Sequence, residues 1–139
     1  MNVDSIQNGI VIDHITPGRG MDIYRYLHLE ELDCTVAIML GVRSSKNGNK
    51  DLIKIDAPIE LNVDVLGFID PFCTVNIIEN GRIIRKFSPE LPARLTDVLH
   101  CRNPRCITQA EPDLPHVFVL SDPAKQTYRC LYCETVGKR

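Results

Sequence analysis

The chain of 139 residues has a formal net charge of −2 at pH 7, with 44% hydrophobic and 24% charged residues, which is typical of one folded domain or two small ones. The scattered basic residues argue against a general nucleic-acid binder, and the N-terminal sequence has neither the charged nor the apolar region of a secretion signal. No apolar run approaches the roughly 20 residues that span a bilayer, so we expect a cytoplasmic protein whose thiols stay reduced.

The first part of the chain predicts seven elements, from the spacing of its apolar residues and from the hairpin turn Asn80-Gly81. They are a strand at 10–15, a helix at 20–32, strands at 34–40 and 51–56, a helix at 59–68, and strands at 74–78 and 82–87. The run 34–40 is almost wholly apolar, which is typical of a strand covered on both faces. The order β-α-β-β-α-β with one further strand is the ferredoxin-like arrangement, with both helices on one face of the sheet, so we predict an α+β fold.

The composition changes after residue 87. The stretch SPELP at 88–92 interrupts the pattern, and ARLTDVL at 93–99 predicts a short helix before the first cysteine pair. We place a domain boundary near residues 88–95. We expect a larger domain at 1–92 and a small β-rich domain of the zinc-ribbon or rubredoxin type at 93–139.

Four of the six cysteines form the pattern C-x4-C-x23-C-x2-C near the end of the chain, namely Cys101, Cys106, Cys130 and Cys133. Two short loops can turn all four sulfurs toward one point, which suits tetrahedral zinc with Zn–S distances of about 2.3 Å. Four ligands leave no position for water or substrate, so the metal is structural. A domain this small usually needs such a metal, and zinc can contribute on the order of 10 kcal/mol to its folding.

The same four cysteines are also compatible with chemistry other than zinc binding. Two disulfides, cysteines that only pack, or an iron or iron–sulfur centre with the same ligands are the alternatives. The remaining cysteines, Cys34 and Cys73, lie in runs that predict apolar strands, where we expect inert core residues.

The larger domain contains no recognisable catalytic motif: no Gly-rich phosphate loop, no G-x-S-x-G and no H-E-x-x-H. Asp13 and His14, at the end of a strand, form the most suggestive pair, although a polar surface turn also accounts for them. Lys54 and Lys86 lie on strands, where lysines often only protect an exposed edge. Together with Asp13 they could form an anionic-ligand site, with two lysines for phosphates and a carboxylate for a ribose hydroxyl.

Several segments together resemble the regulatory chains of aspartate carbamoyltransferase: VIDHI at 11–15, KDLIKI at 50–55, TVN at 74–76, AEP at 110–112 and the four-cysteine pattern, in register from about residue 3 to 134. The resemblance implies a non-catalytic subunit of two domains. An allosteric domain binds CTP as an inhibitor and ATP as an activator, in some members with UTP alongside CTP. A zinc domain with one zinc ion per chain docks on the catalytic chain, and regulatory homodimers bridge two catalytic trimers into an assembly of six chains of each kind.

The resemblance also assigns residues by position. It implies nucleotide contacts by Asp13 and His14, contacts of Lys54 with base and ribose, and contacts of Lys86 with the phosphates. The other pocket positions are Val3, Ser5, Ile6, Asn76 and Ile78, the zinc ligands are the four clustered cysteines, and Asn103 and Glu134 fall at positions that face the catalytic chain. The Asn80-Gly81 turn departs from the family, which can place an aromatic residue there.

Two other functions are compatible with parts of the sequence. A zinc ribbon could bind nucleic acid through its basic residues, which are Arg102, Arg105, Arg129, Lys138 and Arg139, but the mixed charge of its loops counts against that role. A small enzyme could use Asp13 and His14, but no nucleophile or open metal position accompanies them. We therefore predict a regulatory subunit that controls pyrimidine biosynthesis and is not itself an enzyme.

Overall fold

A computed structural model describes residues 6–44 and 48–139 of the chain. The chain divides into two compact units, Met1–Glu90 and Leu91–Arg139. None of the described helices is long and apolar enough to cross a membrane.

The first unit is a five-stranded sheet with two helices. Its elements are β1 (Gly9–Ile15), α1 (Gly20–Tyr26), a 3-10 turn (Leu29–Glu31), β2 (Val36–Ser44), β3 (Gly48–Ile55), α2 (Val63–Ile69), β4 (Thr74–Glu79) and β5 (Arg82–Phe87). The strand order is β2-β3-β1-β4-β5, and each neighbouring pair is antiparallel. Because β3 and β4 flank β1 and β5 only extends one edge, this is the ferredoxin-like order with one added strand. The predicted α+β class is confirmed.

Alternation along the strands separates a buried face from an open one. The residues Ile10, Ile12, Ile53, Ile55 and Val75 are at most 1% exposed, and α1 and α2 add buried residues such as Ile23 and Leu66. Each buried branched side chain stabilises the fold by about 1.5–3 kcal/mol. Residues of the other parity, such as Val11 and Lys54, are only half-buried. One face of the sheet thus packs against the helices, and the other face is open to solvent.

Both helices are shorter than the predicted segments. Helix α2 begins at Val63 because Asn62, in an extended conformation, caps it and accepts a hydrogen bond from the backbone N–H of Val65 at 3.2 Å. Helix α1 ends at Tyr26, and His28 then takes a positive φ of 53° before the 3-10 turn. Such a left-handed residue cannot continue an α-helix, so the predicted single helix is broken.

The prediction of a strand covered on both faces at 34–40 is wrong. β2 lies at the edge of the sheet, none of its residues is buried, and Leu40 is 56% exposed. An apolar run cannot distinguish a central strand from an edge strand with one neighbour. Of the two cysteines outside the cluster, Cys73 precedes β4 and is fully buried, whereas Cys34 precedes β2 and is only half-buried. Only Cys73 is therefore a core residue as predicted.

The second unit is a small three-stranded sheet around the cysteines. It contains β6 (Arg94–Thr96), a short helix α3 (Ile107–Ala110), β7 (Val117–Asp122) and β8 (Thr127–Cys130), in the antiparallel order β6-β7-β8. The predicted helix at 93–99 is wrong, because Leu95 pairs with Phe118 across the sheet and both are buried. The buried Tyr128 hydroxyl donates to the carbonyl of Pro92 at 2.6 Å and fixes the segment that leads into β6.

Candidate functional site

The four clustered cysteines converge on one point in the second unit. Their sulfur atoms all lie within 4.8 Å of one another, with 3.5 Å between the Sγ atoms of Cys101 and Cys133 and 3.8 Å between those of Cys106 and Cys130. A tetrahedron of sulfurs around a metal, with bonds of about 2.3 Å, has edges of about 3.8 Å. All six cysteines are free thiols, so the two-disulfide alternative does not apply. The donor set fits one metal ion with a closed coordination sphere.

Local hydrogen bonds shape the two cysteine loops. The N–H of Cys106 donates to the carbonyl of Asn103 at 3.1 Å and closes the first loop, and the Thr108 hydroxyl donates to the Cys106 sulfur at 3.1 Å. In the second loop the Thr135 hydroxyl lies 3.2 Å from the Cys133 sulfur. These contacts fix the orientation of the sulfurs, as the supporting shell of a metal site does.

The thiols of the cluster do not ionise alike. Burial raises the pKa of Cys101 to about 12 and raises that of Cys130, whereas the hydrogen bond with Thr135 lowers the pKa of Cys133 to about 6. Four thiolates packed this closely are unfavourable without a cation to compensate them. A divalent metal provides that compensation, so we assign this cluster to a structural metal.

The open face of the first unit carries a row of aligned side chains. Lys54 is opposite Val11, Val11 is opposite Asn76, and Asn76 is opposite Lys86, on β3, β1, β4 and β5. Residues directly opposite each other in antiparallel strands project to the same face. Three strand spacings of about 4.8 Å place the two lysine positions roughly 14 Å apart. The row can therefore contact an elongated anionic ligand at two places.

Asp13 lies on the same face, two residues from Val11, and is paired with a further lysine. The Lys50 Nζ is 2.8 Å from its carboxylate Oδ1, and the His14 backbone N–H donates to the same oxygen at 2.7 Å. Burial alone would raise the pKa of Asp13, but these two hydrogen bonds outweigh it, and its pKa lies below the usual value. Asp13 is therefore ionised at neutral pH. Sequence reasoning missed Lys50, although its spacing of four from Lys54 on one strand places both on one face.

His14 lies at an irregularity of β1. The register between β1 and β3 shifts between Ile12 and Ile15, and His14 has a positive φ of 54°. Its Nδ1 is 3.9 Å from the Asp13 Oδ2. A surface cleft of about 330 Å³ opens here; its lining residues are His14, Ile15, Thr16, Pro17, Ser44, Asn49, Lys50 and Phe72.

The remaining sequence-derived candidates are distributed as follows. Ile78 is opposite Gly9 and shares the open face with Asn76, whereas Ile6 is buried. Val3 and Ser5 lie outside the described residues. In the second unit, Asn103 lies half-buried between Cys101 and Cys106, and Glu134 is exposed directly after Cys133. Apart from Ile6, the described candidate nucleotide contacts of the first unit thus lie on the open face of its sheet or at the edge of that face.

An open, lysine-bearing sheet face and a closed four-cysteine cluster define a metal-stabilised binding protein. Comparison with known proteins identifies its family. The model of the aspartate carbamoyltransferase regulatory chain, allosteric domain, matches residues 1–90, and the model of its metal binding domain matches residues 93–139. The chain belongs to the family of aspartate carbamoyltransferase regulatory chains and is a non-catalytic subunit, which removes the small-enzyme alternative.

Three curated relatives, each named aspartate carbamoyltransferase regulatory chain, illustrate the match. The protein of Clostridium tetani is 48% identical over 139 residues, covering 99% of this chain and 96% of the relative. That of Clostridium acetobutylicum is 45% identical over 138 residues, with 99% and 94% covered, and that of Bifidobacterium longum is 38% identical over 138 residues, with 99% of each chain covered. The resemblance noted from the sequence is confirmed along the whole chain.

Proposed function

We propose that this chain binds CTP and ATP on the open face of its first unit, with UTP as a further ligand alongside CTP, and transmits their effect to the catalytic chains of aspartate carbamoyltransferase. It would thereby apply feedback control to pyrimidine biosynthesis in the cytoplasm. The observation that supports the proposal most is the aligned row Lys54, Val11, Asn76 and Lys86, with ionised Asp13 on the same face.

The chemistry of a nucleoside triphosphate suits this arrangement. Lys86, at the outer strand, supplies a cation for the phosphate groups, and Lys54, three strand spacings away, contacts the base and ribose end. The carboxylate of Asp13 accepts hydrogen bonds from ribose hydroxyls, and Lys50 holds it in place at 2.8 Å. One elongated ligand can contact both ends of the row.

We assign the metal of the second unit as zinc, with one ion per chain. Four thiolates at tetrahedral spacing are the common donor set of structural zinc, although iron can bind the same four sulfurs. The metal stabilises the fold of the second unit, which docks on the catalytic chain. Metal analysis of the purified chain distinguishes the two ions.

The surface around the cysteines supports docking on a protein partner. The large apolar residues that the second unit exposes all lie within three positions of a cysteine of the cluster: Ile107, Leu131, Tyr132 and Val136, which are 38–47% exposed. A neighbouring cleft is lined by Arg102, Asn103 and Lys138, among others. Apolar residues rimmed by polar ones are typical of protein interfaces. We propose that this surface, with Asn103 and Glu134, meets the catalytic chain, and that regulatory homodimers link two catalytic trimers into a dodecamer.

Regulation then follows from linkage. CTP and ATP must bind with different affinity to the low-activity and high-activity assemblies, and a coupling free energy of about 1–3 kcal/mol changes affinity about 5- to 150-fold. No chemical step on the regulatory chain is needed.

Reconstitution tests the proposal. The full chain, loaded with zinc, is mixed with catalytic trimers, and the mass of the complex and the aspartate saturation curve are measured with and without each nucleotide. We expect a larger complex whose curve CTP and ATP displace in opposite directions. If the complex forms but its aspartate saturation curve is the same with and without CTP or ATP, the allosteric proposal is refuted and the docking proposal stands.

A further inference from the structure

Two carboxylates in the first unit are buried and accept hydrogen bonds from donors of nearby loops and turns. Asp51 is 2% exposed and Asp70 is 0% exposed. Asp51 lies within the KDLIKI segment, but the sequence assigns no role to it or to Asp70. Taking a carboxylate out of water is costly unless it is well hydrogen-bonded, so two of them in one small unit require a physical reason.

Asp70, at the end of α2, joins two segments that are distant in sequence. Its Oδ2 accepts a hydrogen bond from the backbone N–H of Thr16 at 2.7 Å. Its Oδ1 accepts from the Thr16 hydroxyl at 3.2 Å and from the backbone N–H of Phe72 at 3.0 Å. One side chain therefore fixes the residue that follows β1 against the turn that precedes β4.

Asp51, on the buried face of β3, holds the other end of the same loop. Its Oδ2 accepts from the N–H groups of Gly18 and Gly20, both at 3.0 Å, and its Oδ1 accepts from the N–H of Gly41 at 3.0 Å. A Cβ atom on Gly20 would lie 3.0 Å from the Asp51 Oδ2, so the loop approaches the carboxylate closely. The loop from Thr16 to Gly20 is thus held at both ends by buried carboxylates.

The segments held in this way surround the cleft beside Asp13. Thr16 and Phe72, the two partners of Asp70, both line it. So does Lys50, the partner of Asp13, which directly precedes Asp51 in β3. Phe72 is 69% exposed at this position. The hydrogen bond from its backbone N–H to Asp70 fixes the position from which this ring projects.

We infer that Asp51 and Asp70 are positioning residues: they fix the walls of the cleft beside Asp13 and Lys50, and in this way they set the affinity of the chain for its effector nucleotide. The inference rests on the proposed function, since it concerns the same ligand. The inference follows from where the hydrogen bonds lie: Asp70 holds two residues that line the cleft, and Asp51 holds the far end of the loop that begins at Thr16.

The test uses a reporter that the sequence allows. The chain contains no tryptophan, so Phe72→Trp in the full zinc-loaded chain gives a single tryptophan at the cleft, which can be excited at longer wavelengths than the four tyrosines. Asp70→Asn is introduced into this parent. It keeps the shape of the side chain but turns an amide nitrogen toward donors that need an acceptor. Asp64→Asn, an exposed acid on the same helix, is the matched control for the loss of charge.

Two readouts separate positioning from stability. The first is the CTP concentration at half-saturation of the fluorescence change, which we expect Asp70→Asn to raise roughly tenfold, as the loss of a hydrogen bond to a charged group does. The second is the fluorescence anisotropy of residue 72 without nucleotide, which we expect to fall while the far-ultraviolet circular dichroism stays unchanged. A residue needed only for stability would lower the unfolding temperature but leave both readouts at the parent values in the folded protein.

The outcomes distinguish a failure of the proposed function from a failure of the positioning role. If the unsubstituted chain binds neither CTP nor ATP in calorimetry, the proposed function fails and the inference fails with it. If only the Phe72→Trp parent fails to bind, calorimetry on Asp70→Asn and Asp64→Asn in the unsubstituted chain replaces the fluorescence measurement. If the parent binds CTP and Asp70→Asn binds within twofold of the Asp64→Asn control, only the inference is overturned. If Asp70→Asn does not fold, Asp51→Asn replaces it in the same parent, because Asp51 holds the other end of the loop and does not line the cleft. An affinity of Asp51→Asn within twofold of the control would then overturn the inference.

Discussion

Replacing Lys50 by Met should destabilise the first unit in a manner that depends on Asp13 and on pH. The two side chains are 20% and 23% exposed and their charged atoms are 2.8 Å apart, so the pair is mostly shielded from solvent. A hydrogen bond between charged groups stabilises by about 1.5–3 kcal/mol, and the remaining exposure favours the lower end. A loss of about 1.5 kcal/mol lowers the unfolding temperature of a unit this size by roughly 6–12 °C.

The pH dependence of this effect has a definite sign. The pKa of Asp13 is lowered in the folded chain, so its contribution is fully present above the pKa of the unfolded chain. It is lost as the pH falls through the lower, folded-state pKa. The difference between the native chain and Lys50→Met should therefore be constant near neutral pH. It should shrink in acid, once Asp13 becomes protonated in both proteins.

Thermal unfolding of the first unit within the full chain, followed by circular dichroism between pH 3 and pH 8 (about the range in which an aspartate and its neighbours titrate), measures the effect. Since acid releases zinc from thiolate ligands, the variants are compared with each other at each pH. A double-mutant cycle with Asp13→Asn supplies the control, because the charge of Lys50 has no carboxylate to meet in that background. A coupling energy below about 0.3 kcal/mol at neutral pH, within the error of additivity, would refute the reasoning that the ion pair matters to the fold.

Three further changes test other parts of the molecule. Lys86→Met should raise the half-effect concentrations of CTP and ATP by about tenfold in the reconstituted enzyme, through the loss of one charged contact; Arg82→Met, at a position opposite Glu79 and outside the row, should leave them unchanged. Removal of the metal by a chelator should unfold the second unit, since structural zinc contributes on the order of 10 kcal/mol. The mass of the complex with catalytic trimers should then fall while the sheet of residues 1–90 keeps its circular dichroism, and a complex of unchanged mass would contradict the docking role. Tyr128→Phe should cost about 1–2 kcal/mol in urea unfolding of the second unit, because it leaves the Pro92 carbonyl without its donor at 2.6 Å; an unchanged midpoint would show that water replaces the hydroxyl.

Local chemistry makes some features readable from the sequence. The strand Arg82–Phe87 has the bounds that the sequence predicts, because Asn80 and Gly81 take the two positive φ angles, 53° and 77°, of a tight hairpin turn. The cysteine cluster can equally be predicted from the sequence, since short loops and thiolate chemistry restrict where the sulfurs can lie. Both features depend on residues that are close in the chain.

Features that depend on distant residues are not readable in this way. The stretch ARLTDVL has helical spacing, yet Leu95 gains a buried position opposite Phe118 as a strand, and tertiary packing overrides the local preference. The pairing of Lys50 with Asp13 joins two strands whose register only the folded sheet defines. The hydrogen bonds of Asp70 to Thr16 cross 54 positions of sequence, and no pattern near either residue indicates them.

Register links the fold of the first unit to its proposed function. A slip of β3 by one residue against β1 would turn Lys50 and Lys54 toward the helices and would expose Ile53 and Ile55. Those two isoleucines are fully buried, so the slip would lose roughly 3–6 kcal/mol of burial and would also bury two charges. Gly9 adds a steric constraint, because a Cβ atom there would clash with the Ile55 carbonyl oxygen. The apolar residues of the core thus determine which side the lysines face, and the packing of the first unit sets the orientation of its proposed ligand-binding surface.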